Sequence, residues 1–374
     1  MRLALAHDYL TRFGGAERVL QALIEQFPEA PVYTLKTDRA VTAEHFPGTF
    51  IQTAFTDRLP GSHRAALPLL PLAVESFDFR DYDVVLSSSS AFIKGIVTRA
   101  HARHISYCHT PPRFLWEDRD AYARQHLPRG TGAAGRGILH LLRLWDQHAA
   151  YRVDHFLANS DYTAGRIRRY YGREAEVVYP PVDVATHQLR SATRERLGLP
   201  KEYYVLVSRL AWWKQPEIAV DALGALGFPL VVVGEGPQRR ELSGNAKQNV
   251  QFLGWRDDQT VRELMSGAEA LLHPSVEDFG ITAVEAMAEG TPVIALRAGG
   301  ATETVQEGKS GLFFDDVHPL ALADAVRRSR EHSWDRPAIQ KSVQQYSAER
   351  FREAIQRVVG VEADPTRLPS GRQG

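Results

Sequence analysis

Short apolar runs alternate with amphipathic segments along most of the chain. Between the runs, apolar residues recur every three or four positions, which is the spacing of one helix face. This alternation predicts an α/β fold, in which parallel sheets carry helices on both faces. The predicted strands are 3–6, 32–34, 50–51, 84–86, 105–107, 155–157 and 177–178 in the first half, and 204–207, 230–233, 250–253, 270–272, 293–295 and 312–314 in the second.

The chain length favours two domains, because 374 residues exceed one ordinary hydrophobic core. Two consecutive prolines, Pro180 and Pro181, end the last strand of the first half and hold the chain extended. We therefore predict a first domain over 1–181, a second over 182–343 and a terminal helix over 344–360. The tail 361–374 lacks an apolar pattern and is predicted to be mobile.

Composition narrows the class of protein. The 45 basic residues balance the 45 acidic residues, so no nucleic-acid partner is indicated. Cys108 is the only cysteine, which excludes a disulfide within the chain and fits a reducing cytoplasm. The apolar part of the N-terminus is too short for a secretion signal, and no apolar run is long enough to span a bilayer. We expect a cytoplasmic enzyme.

The stretch 273–314 carries the strongest chemical signal. Glu277 and Glu285 bracket a predicted helix start at Phe279-Gly280-Ile281, where free amides and the helix dipole suit a phosphate. Carboxylates beside a diphosphate would accept hydrogen bonds from sugar hydroxyls, so the pattern suggests a nucleotide sugar. Alternatively, Thr282 and Glu285 form a capping box, and Glu277 only complements the helix dipole.

The same stretch resembles a known family. The spacing of Glu277 and Glu285, followed by EAMAEGTPVIA and the turn Gly299-Gly300, resembles the retaining glycosyltransferases of family four, which have the GT-B fold. The resemblance implies two facing doubly wound, Rossmann-like domains. It also implies that the nucleotide sugar binds the second domain, that the acceptor binds the first, and that the terminal helix crosses back to the first domain.

The resemblance assigns roles to individual residues of the second domain. Arg209 and Lys214 would neutralise the departing diphosphate, although on spacing alone this pair could be ordinary surface charge. Glu277 would hold sugar hydroxyls, and Glu285 would hold the ribose. The other predicted donor-binding residues of this domain are Ser208, Gly234, Gly254, Trp255, Asp278, Phe279, Gly280, Ile281 and Thr282.

Two loops of the first domain also follow strands. Gly14-Gly15 is either a tight turn or, as the resemblance implies, a donor-binding loop at the interdomain cleft. The string HTPPRFLW resembles a signature of bacterial O-antigen mannosyltransferases in the same family, and this resemblance implies that His109 contacts the donor sugar. Asp8 and Arg113 are predicted to bind the acceptor, with bracing of the loop as the alternative role for Arg113.

Two stretches suggest a membrane surface. Residues 59–73 are apolar and broken by prolines, and 124–148 mix leucine with arginine. Between Arg99 and Arg173 the chain has 13 Arg against six Asp and Glu. Basic, apolar surface of this kind can bind anionic lipid, so we expect peripheral contact with the inner face of the cytoplasmic membrane. The alternative is that the leucines are core and the arginines solvated.

We conclude that the sequence favours a retaining sugar transferase that uses GDP-mannose and a polyprenyl-linked saccharide of a surface polysaccharide. A UDP-sugar transferase, a nucleotide-sugar epimerase of the same fold and an inactive nucleotide-sugar binder are the alternatives. No cofactor is predicted, since the nucleotide sugar is a substrate. No metal is predicted either, because Asp81 and Asp83 have the spacing of a metal-binding pair but precede their strand.

Overall fold

The computed structural model describes residues 1–59, 66–126 and 132–360. They form two compact units, one comprising Met1–Tyr179 together with the chain from Glu349 onward, the other Pro180–Ala348. Part of the predicted membrane stretch, 60–65, and the tail 361–374 lie outside the described residues. Among the described helices, none combines the length and hydropathy needed to cross a bilayer.

The first unit is built on a seven-stranded parallel sheet in the order β3-β2-β1-β4-β5-β6-β7. Its strands are β1 Leu3–His7, β2 Val32–Thr34, β3 Ile51–Thr53, β4 Val84–Ser89, β5 Arg103–Cys108, β6 His155–Ala158 and β7 Ala175–Val177. Its helices are α1 Gly15–Gln26, α2 Arg39–His45, α3 Leu70–Glu75, α4 Arg119–His126, α5 Gly132–Ala150, α6 Asp161–Tyr171 and, from the end of the chain, α15 Ala348–Gly360.

The second unit contains a six-stranded parallel sheet in the order β10-β9-β8-β11-β12-β13. Its strands are β8 Tyr204–Val207, β9 Leu230–Val233, β10 Val250–Gly254, β11 Leu271–His273, β12 Val293–Leu296 and β13 Gly311–Phe314. Its helices are α7 Ser191–Leu197, α8 Pro216–Leu226, α9 Arg239–Asn245, α10 Asp258–Ser266, α11 Ile281–Ala288, α12 Ala301–Thr304, α13 Pro319–Glu331 and α14 Arg336–Ser342.

The predicted α/β class with two Rossmann-like units is therefore confirmed, because every strand pair in both sheets is parallel. Apolar side chains of the strands pack under helices, as in the cluster that joins Leu206 and Val232 to Leu223 of α8. The terminal helix α15 packs its apolar face, including Phe351 and Ile355, into the core of the first unit.

Two boundaries differ from the predictions. The terminal helix was expected to begin at residue 344, but a 3₁₀ turn over Gln344–Tyr346 precedes it and Ser347 is extended, forming a bridge with Val182. The fourth strand was predicted to end at residue 86, yet β4 continues through Ser89. Burial of Ser87 and Ser88 is tolerated because each hydroxyl meets a histidine ring nitrogen.

Candidate active site

An ion pair joins two residues that the sequence singled out separately. The ammonium of Lys214 lies 2.7 Å from Oε1 of Glu277, and the two side chains are 26% and 19% exposed. Lys214 belongs to the loop after β8, and Glu277 belongs to the loop after β11, its neighbour in the sheet. Because parallel neighbours end at the same edge, loops distant in sequence converge here.

This ion pair keeps Glu277 charged. Burial by itself raises the pKa of Glu277, but the nearby Lys214, together with His273 and the Ser275 hydroxyl, outweighs burial and lowers that pKa to about 2. The Ser275 hydroxyl lies 3.4 Å from the carboxylate. Glu277 therefore acts as a hydrogen-bond acceptor across the physiological pH range.

The position of Lys214 depends on an unusual backbone turn. Residues Trp212–Lys214 form a 3₁₀ turn, and Gln215 then takes a left-handed conformation with φ of 48° before α8 starts at Pro216. Among the described residues other than glycine, Gln215 alone has positive φ. Such conformations cost about 1–2 kcal/mol and cluster at functional sites. The turn also brings the Trp213 ring under the guanidinium of Arg209, 5.5 Å from its centroid.

The start of α11 has the geometry predicted for a phosphate site. Helix α11 begins at Ile281, and its N-cap is Gly280, which has φ of 86° and no side chain that could cap the helix. The alternative capping box is therefore wrong, because Thr282 lies inside the first turn. The N-terminal end of the helix carries the partial positive charge that attracts an anion.

His273 is a site residue that the sequence interpretation missed. It was placed in a loop, but it is the last residue of β11, only 4% exposed, and its Nε2 has no hydrogen-bond partner among the described groups. A Cβ on Gly280 would lie 3.4 Å from that nitrogen, so the ring faces the start of α11. Burial lowers the pKa of His273. The signal was available, since His273 directly continues an apolar run.

The loop that carries Glu277 packs against the Gly299-Gly300 turn. The amide of Gly300 donates to the Glu277 carbonyl at 2.9 Å. A Cβ on Gly299 would lie 2.3 Å from that carbonyl, and one on Gly300 would lie 2.5 Å from the Cα of Phe279. The backbone atoms of this loop cannot move aside as a flexible side chain can. Both positions therefore require glycine for this contact.

Other predicted donor-binding residues occupy neighbouring loops of the second unit. A Cβ on Gly234 would lie 2.0 Å from the Ser208 carbonyl, and the Gly234 amide donates to the carbonyl of Gly254 at 2.9 Å. The loops that carry Ser208, Gly234 and Gly254 are thus adjacent in space. Trp255, the next residue, is 71% exposed.

The remaining predicted residues of this unit lie on α11 or directly before it. Phe279 is buried and packs edge-on against Tyr346, with ring centroids 5.4 Å apart. Asp278, Thr282 and Glu285 are half-buried. Glu285 is the fifth residue of α11.

In the first unit, His109 follows β5 and is 9% exposed. Its Nε2 lies 2.8 Å from the Ser88 hydroxyl. Burial, followed by the proximity of His7, lowers the pKa of His109 to about 3, so the ring is neutral at neutral pH. Gly14 is the N-cap of α1 and Gly15 its first residue.

Asp8 has a role different from the predicted acceptor contact. It is 1% exposed, and its two carboxylate oxygens accept four backbone amides at 2.7–2.8 Å. The donors are Ser90, Ala91, Phe92 and Ile93. The carboxylate is therefore occupied in fixing the loop after β4.

Arg113 also braces its own loop, which was the alternative stated for it. Its Nε lies 3.3 Å from Asp118 and 3.8 Å from Glu117. Glu117 in turn accepts a hydrogen bond from Arg166 of α6 at 2.8 Å. These contacts tie the HTPPRFLW loop to a neighbouring helix.

The leucines of the predicted membrane stretch divide between core and surface. On α5, Leu139 and Leu142 are buried in the core of the first unit. Ile138, Leu141 and Leu144 are 38%, 65% and 42% exposed. The leucines of α5 are therefore core on one face and exposed on another, and contact with a membrane stays a prediction.

Family models match both halves of the chain. Residues 190–358 match the model for glycosyl transferases group 1, and residues 13–186 match the model for glycosyltransferase family 4. Together the two matches span most of the chain. The second half of this protein therefore belongs to the glycosyl transferases of group 1 and the first half to glycosyltransferase family 4, as the resemblance in the loop around Glu277 predicted.

Curated relatives match over part of their length. A D-inositol 3-phosphate glycosyltransferase from Jonesia denitrificans is 33% identical over 49% of this chain and 54% of its own. The D-rhamnosyltransferase WbpZ of Pseudomonas aeruginosa is 30% identical over 53% of this chain and 55% of its own. The chain thus spans about half the length of these relatives.

Solved structures share the fold over almost the whole chain. HepE of Anabaena, crystallised with UDP-glucose, superposes with a TM-score of 0.72, 21% identity and coverage of 96% of this chain and 100% of that one. WaaG, a glycosyltransferase involved in lipopolysaccharide biosynthesis, gives a TM-score of 0.68 at 16% identity, covering 96% and 99%. At these identities the likeness supports the fold alone.

Replacing Asp8 tests its structural role. Asp8→Ala leaves four amides without their acceptor, and each buried orphan costs about 1–3 kcal/mol. We expect the first unit to lose at least roughly 3 kcal/mol of unfolding free energy in urea titrations. Asp8→Asn keeps one acceptor oxygen and should lose less. A change within about 0.5 kcal/mol for Asp8→Ala, the range of ordinary surface substitutions, would contradict this role.

Replacing Lys214 tests the ion pair. In Lys214→Met the carboxylate stays partly buried without its cation, so the pKa of Glu277 should rise from about 2 to above its ordinary value of 4.5. NMR titration of ¹³C-labelled glutamate measures this shift. Because the pKa is lowered in the folded protein, the pair stabilises wild type above about pH 4.5 and this contribution fades toward pH 2. Lys309→Met, at an exposed position, should leave the titration unchanged.

Proposed function

We propose that this protein is a retaining glycosyltransferase that moves mannose from GDP-mannose to a lipid-linked saccharide of a surface polysaccharide. The observation that carries the proposal is the Lys214–Glu277 ion pair, in the same unit as the start of α11 at Gly280. The family membership supports sugar transfer as the reaction. Cation, carboxylate and free amides are the groups that a nucleotide diphosphate joined to a sugar requires.

In this proposal the diphosphate is held by positive charge and backbone donors. Lys214 supplies a movable ammonium, and Arg209 supplies a planar guanidinium whose stacking on Trp213 limits its motion. The first amides of α11 supply donors that need no reorganisation. These groups would stabilise the charge that develops as the diphosphate leaves.

The sugar and ribose are held by carboxylates. Glu277 is ionised and accepts hydrogen bonds from sugar hydroxyls, while Glu285 accepts from the ribose. Charged acceptors make stronger hydrogen bonds than neutral ones, which favours Glu277 as the residue that fixes the sugar. His109 belongs to the other unit, and its proposed contact with the transferred sugar rests on the HTPPRFLW resemblance.

The transfer step balances without a further reagent. The bond between the anomeric carbon and the diphosphate oxygen breaks, and the acceptor hydroxyl oxygen forms a bond to the same carbon. The hydroxyl proton goes to the departing diphosphate. The protein's contribution is electrostatic and positional, because no carboxylate is assigned as a covalent nucleophile.

The choice of GDP-mannose rests on HTPPRFLW and the residues around Glu277. A UDP-sugar is the second candidate, since HepE was crystallised with UDP-glucose and shares the fold. The family models describe transferases, so the epimerase alternative has no support from them.

A lipid-linked acceptor agrees with the surface of α5. The exposed Ile138, Leu141 and Leu144 recur at three-residue spacing on a helix that also carries exposed Arg136 and His140. Exposed apolar residues near an arginine suit the interface of an anionic membrane. We propose that this face brings the enzyme to the bilayer that holds its acceptor.

Glu277→Ala tests the reaction. Loss of a contact that stabilises the transition state should lower turnover at least about a hundredfold. Release of nucleoside diphosphate from GDP-mannose or UDP-glucose measures it. Glu307→Ala is the matched control, because Glu307 forms a 2.8 Å ion pair with Arg297 away from this network. Near-normal turnover of Glu277→Ala would contradict the proposed mechanism, and inactivity of wild type would favour a binding protein.

A thermal-shift panel of GDP, UDP and ADP tests the nucleotide. A ligand that binds only folded protein raises the melting temperature, so GDP should give the largest shift. Lys214→Ala and Arg209→Ala should each reduce that shift, while Lys309→Ala should retain it. A larger shift with UDP would contradict GDP-mannose as donor, and no shift with any nucleotide would contradict the site itself.

A further inference from the structure

Four buried polar side chains of the first unit form a continuous line. Oε1 of Glu17 lies 3.7 Å from Nε2 of His7, and Nδ1 of His7 lies 3.0 Å from the Ser88 hydroxyl. That hydroxyl lies 2.8 Å from Nε2 of His109. All four side chains are buried: Glu17 is 8% exposed, His7 2%, Ser88 0% and His109 9%.

Regular elements hold every member of this line. His7 ends β1 and is the register partner of Ser88 on β4. The backbone amide of His109 donates to the Ser89 carbonyl at 2.8 Å. Glu17 lies in the first turn of α1. The line therefore spans two adjacent strands, the residue after a third, and a helix start, all of which are fixed by backbone hydrogen bonds.

The charge of Glu17 sets the donor and the acceptor in each of the two hydrogen bonds between His7, Ser88 and His109. Burial raises the pKa of Glu17, but neighbouring His7 outweighs burial and the pKa is lowered, so Glu17 is a carboxylate. When an imidazole carries one ring proton, a carboxylate favours that proton on the nitrogen that faces it, which in His7 is Nε2. Nδ1 of His7 is then an acceptor, and Ser88 donates its single proton to it. The Ser88 oxygen must accept from His109.

The neutral His109 carries one ring proton, and the line places it on Nε2. The other nitrogen, Nδ1, is then an acceptor. It has no hydrogen-bond partner among residues 1–59, 66–126 and 132–360. A sugar hydroxyl is a donor that such a nitrogen can bind, whereas the opposite tautomer would present N–H to it.

We propose that Glu17, His7 and Ser88 are positioning residues that hold His109 in the Nε2-protonated tautomer, leaving Nδ1 to accept a hydrogen bond from a hydroxyl of the transferred sugar. The assignment of that hydroxyl rests on the proposed function. The tautomer does not, because all four residues lie in one unit and need no substrate.

A purely structural role would only require that these buried groups be satisfied. The same strand offers a comparison, because the Ser87 hydroxyl lies 2.9 Å from Nε2 of His104 and both residues are fully buried. Ser87→Ala thus removes a buried serine–histidine hydrogen bond of the same kind without touching the line. It separates a general loss of stability from a specific effect on His109.

Two-bond ¹H–¹⁵N NMR spectra of histidine-labelled full-length protein at neutral pH report which ring nitrogen carries the proton. The spectrum of His109→Asn identifies the His109 signals among the 14 histidines. We expect wild-type His109 to be protonated on Nε2. Ser88→Ala should reduce the ratio of this tautomer to the other about tenfold, the size of one hydrogen bond.

Conservative replacements should restore the tautomer. Ser88→Thr keeps the hydroxyl and Glu17→Gln keeps an acceptor oxygen, so both should stay within about twofold of wild type. Glu17→Met removes the acceptor at similar volume and should behave like Ser88→Ala. Ser87→Ala should lower the melting temperature about as much as Ser88→Ala, yet leave the His109 signals unchanged.

Two results would overturn the proposal. One is wild-type His109 protonated on Nδ1, as a doubly protonated His7 would impose by reversing the line. The other is a tautomer ratio that Glu17→Met and Ser88→Ala leave unchanged. If Ser88→Ala does not fold, the wild-type spectrum and Glu17→Met still decide. Since no donor is added, failure of the proposed sugar transfer would not alter these results.

Discussion

Parallel alignment of the strands is the constraint on which both units depend. When all strands of a sheet run the same way, every carboxyl end reaches the same edge, and polar loops from distant parts of the chain meet there. In the second unit this edge brings the loop of Lys214 to that of Glu277. In the first it brings His7 and Ser88 beside His109. An antiparallel sheet would send alternate loops to opposite edges.

Charges at these edges are compensated within each unit. Glu277 is ionised because Lys214 is adjacent, and Asp8 is stable in the interior because four amides surround its carboxylate. A buried charge without such partners would be expensive or would become neutral. The two carboxylates nevertheless differ in use. Asp8 has both oxygens occupied by backbone, whereas Glu277 meets a side chain that can move.

Glycine sets the distance between the loops of the second unit. Gly234 approaches the Ser208 backbone, and Gly300 approaches the backbone at Phe279, so closely that any Cβ would overlap with main-chain atoms. Gly280, the N-cap of α11, takes a positive φ that residues with a side chain rarely adopt. These contacts fix the loop around Glu277 from several directions, and such support is what a preorganised electrostatic site needs.

The sequence by itself determined the fold class and the resemblance to glycosyltransferases, and it singled out Lys214 and Glu277, because strand periodicity, glycine turns and motif spacing are local properties. It did not determine which polar side chains already have hydrogen-bond or ion-pair partners within the protein. Asp8 and Arg113 looked like ligand contacts, yet Asp8 accepts the backbone amides of residues 90–93, and Arg113 lies beside Glu117 and Asp118. His273 and the line from Glu17 to His109 exist only through register between strands. Tertiary structure decided these roles, because the partner that satisfies a buried polar group is set by packing in space, which spacing along the chain does not encode.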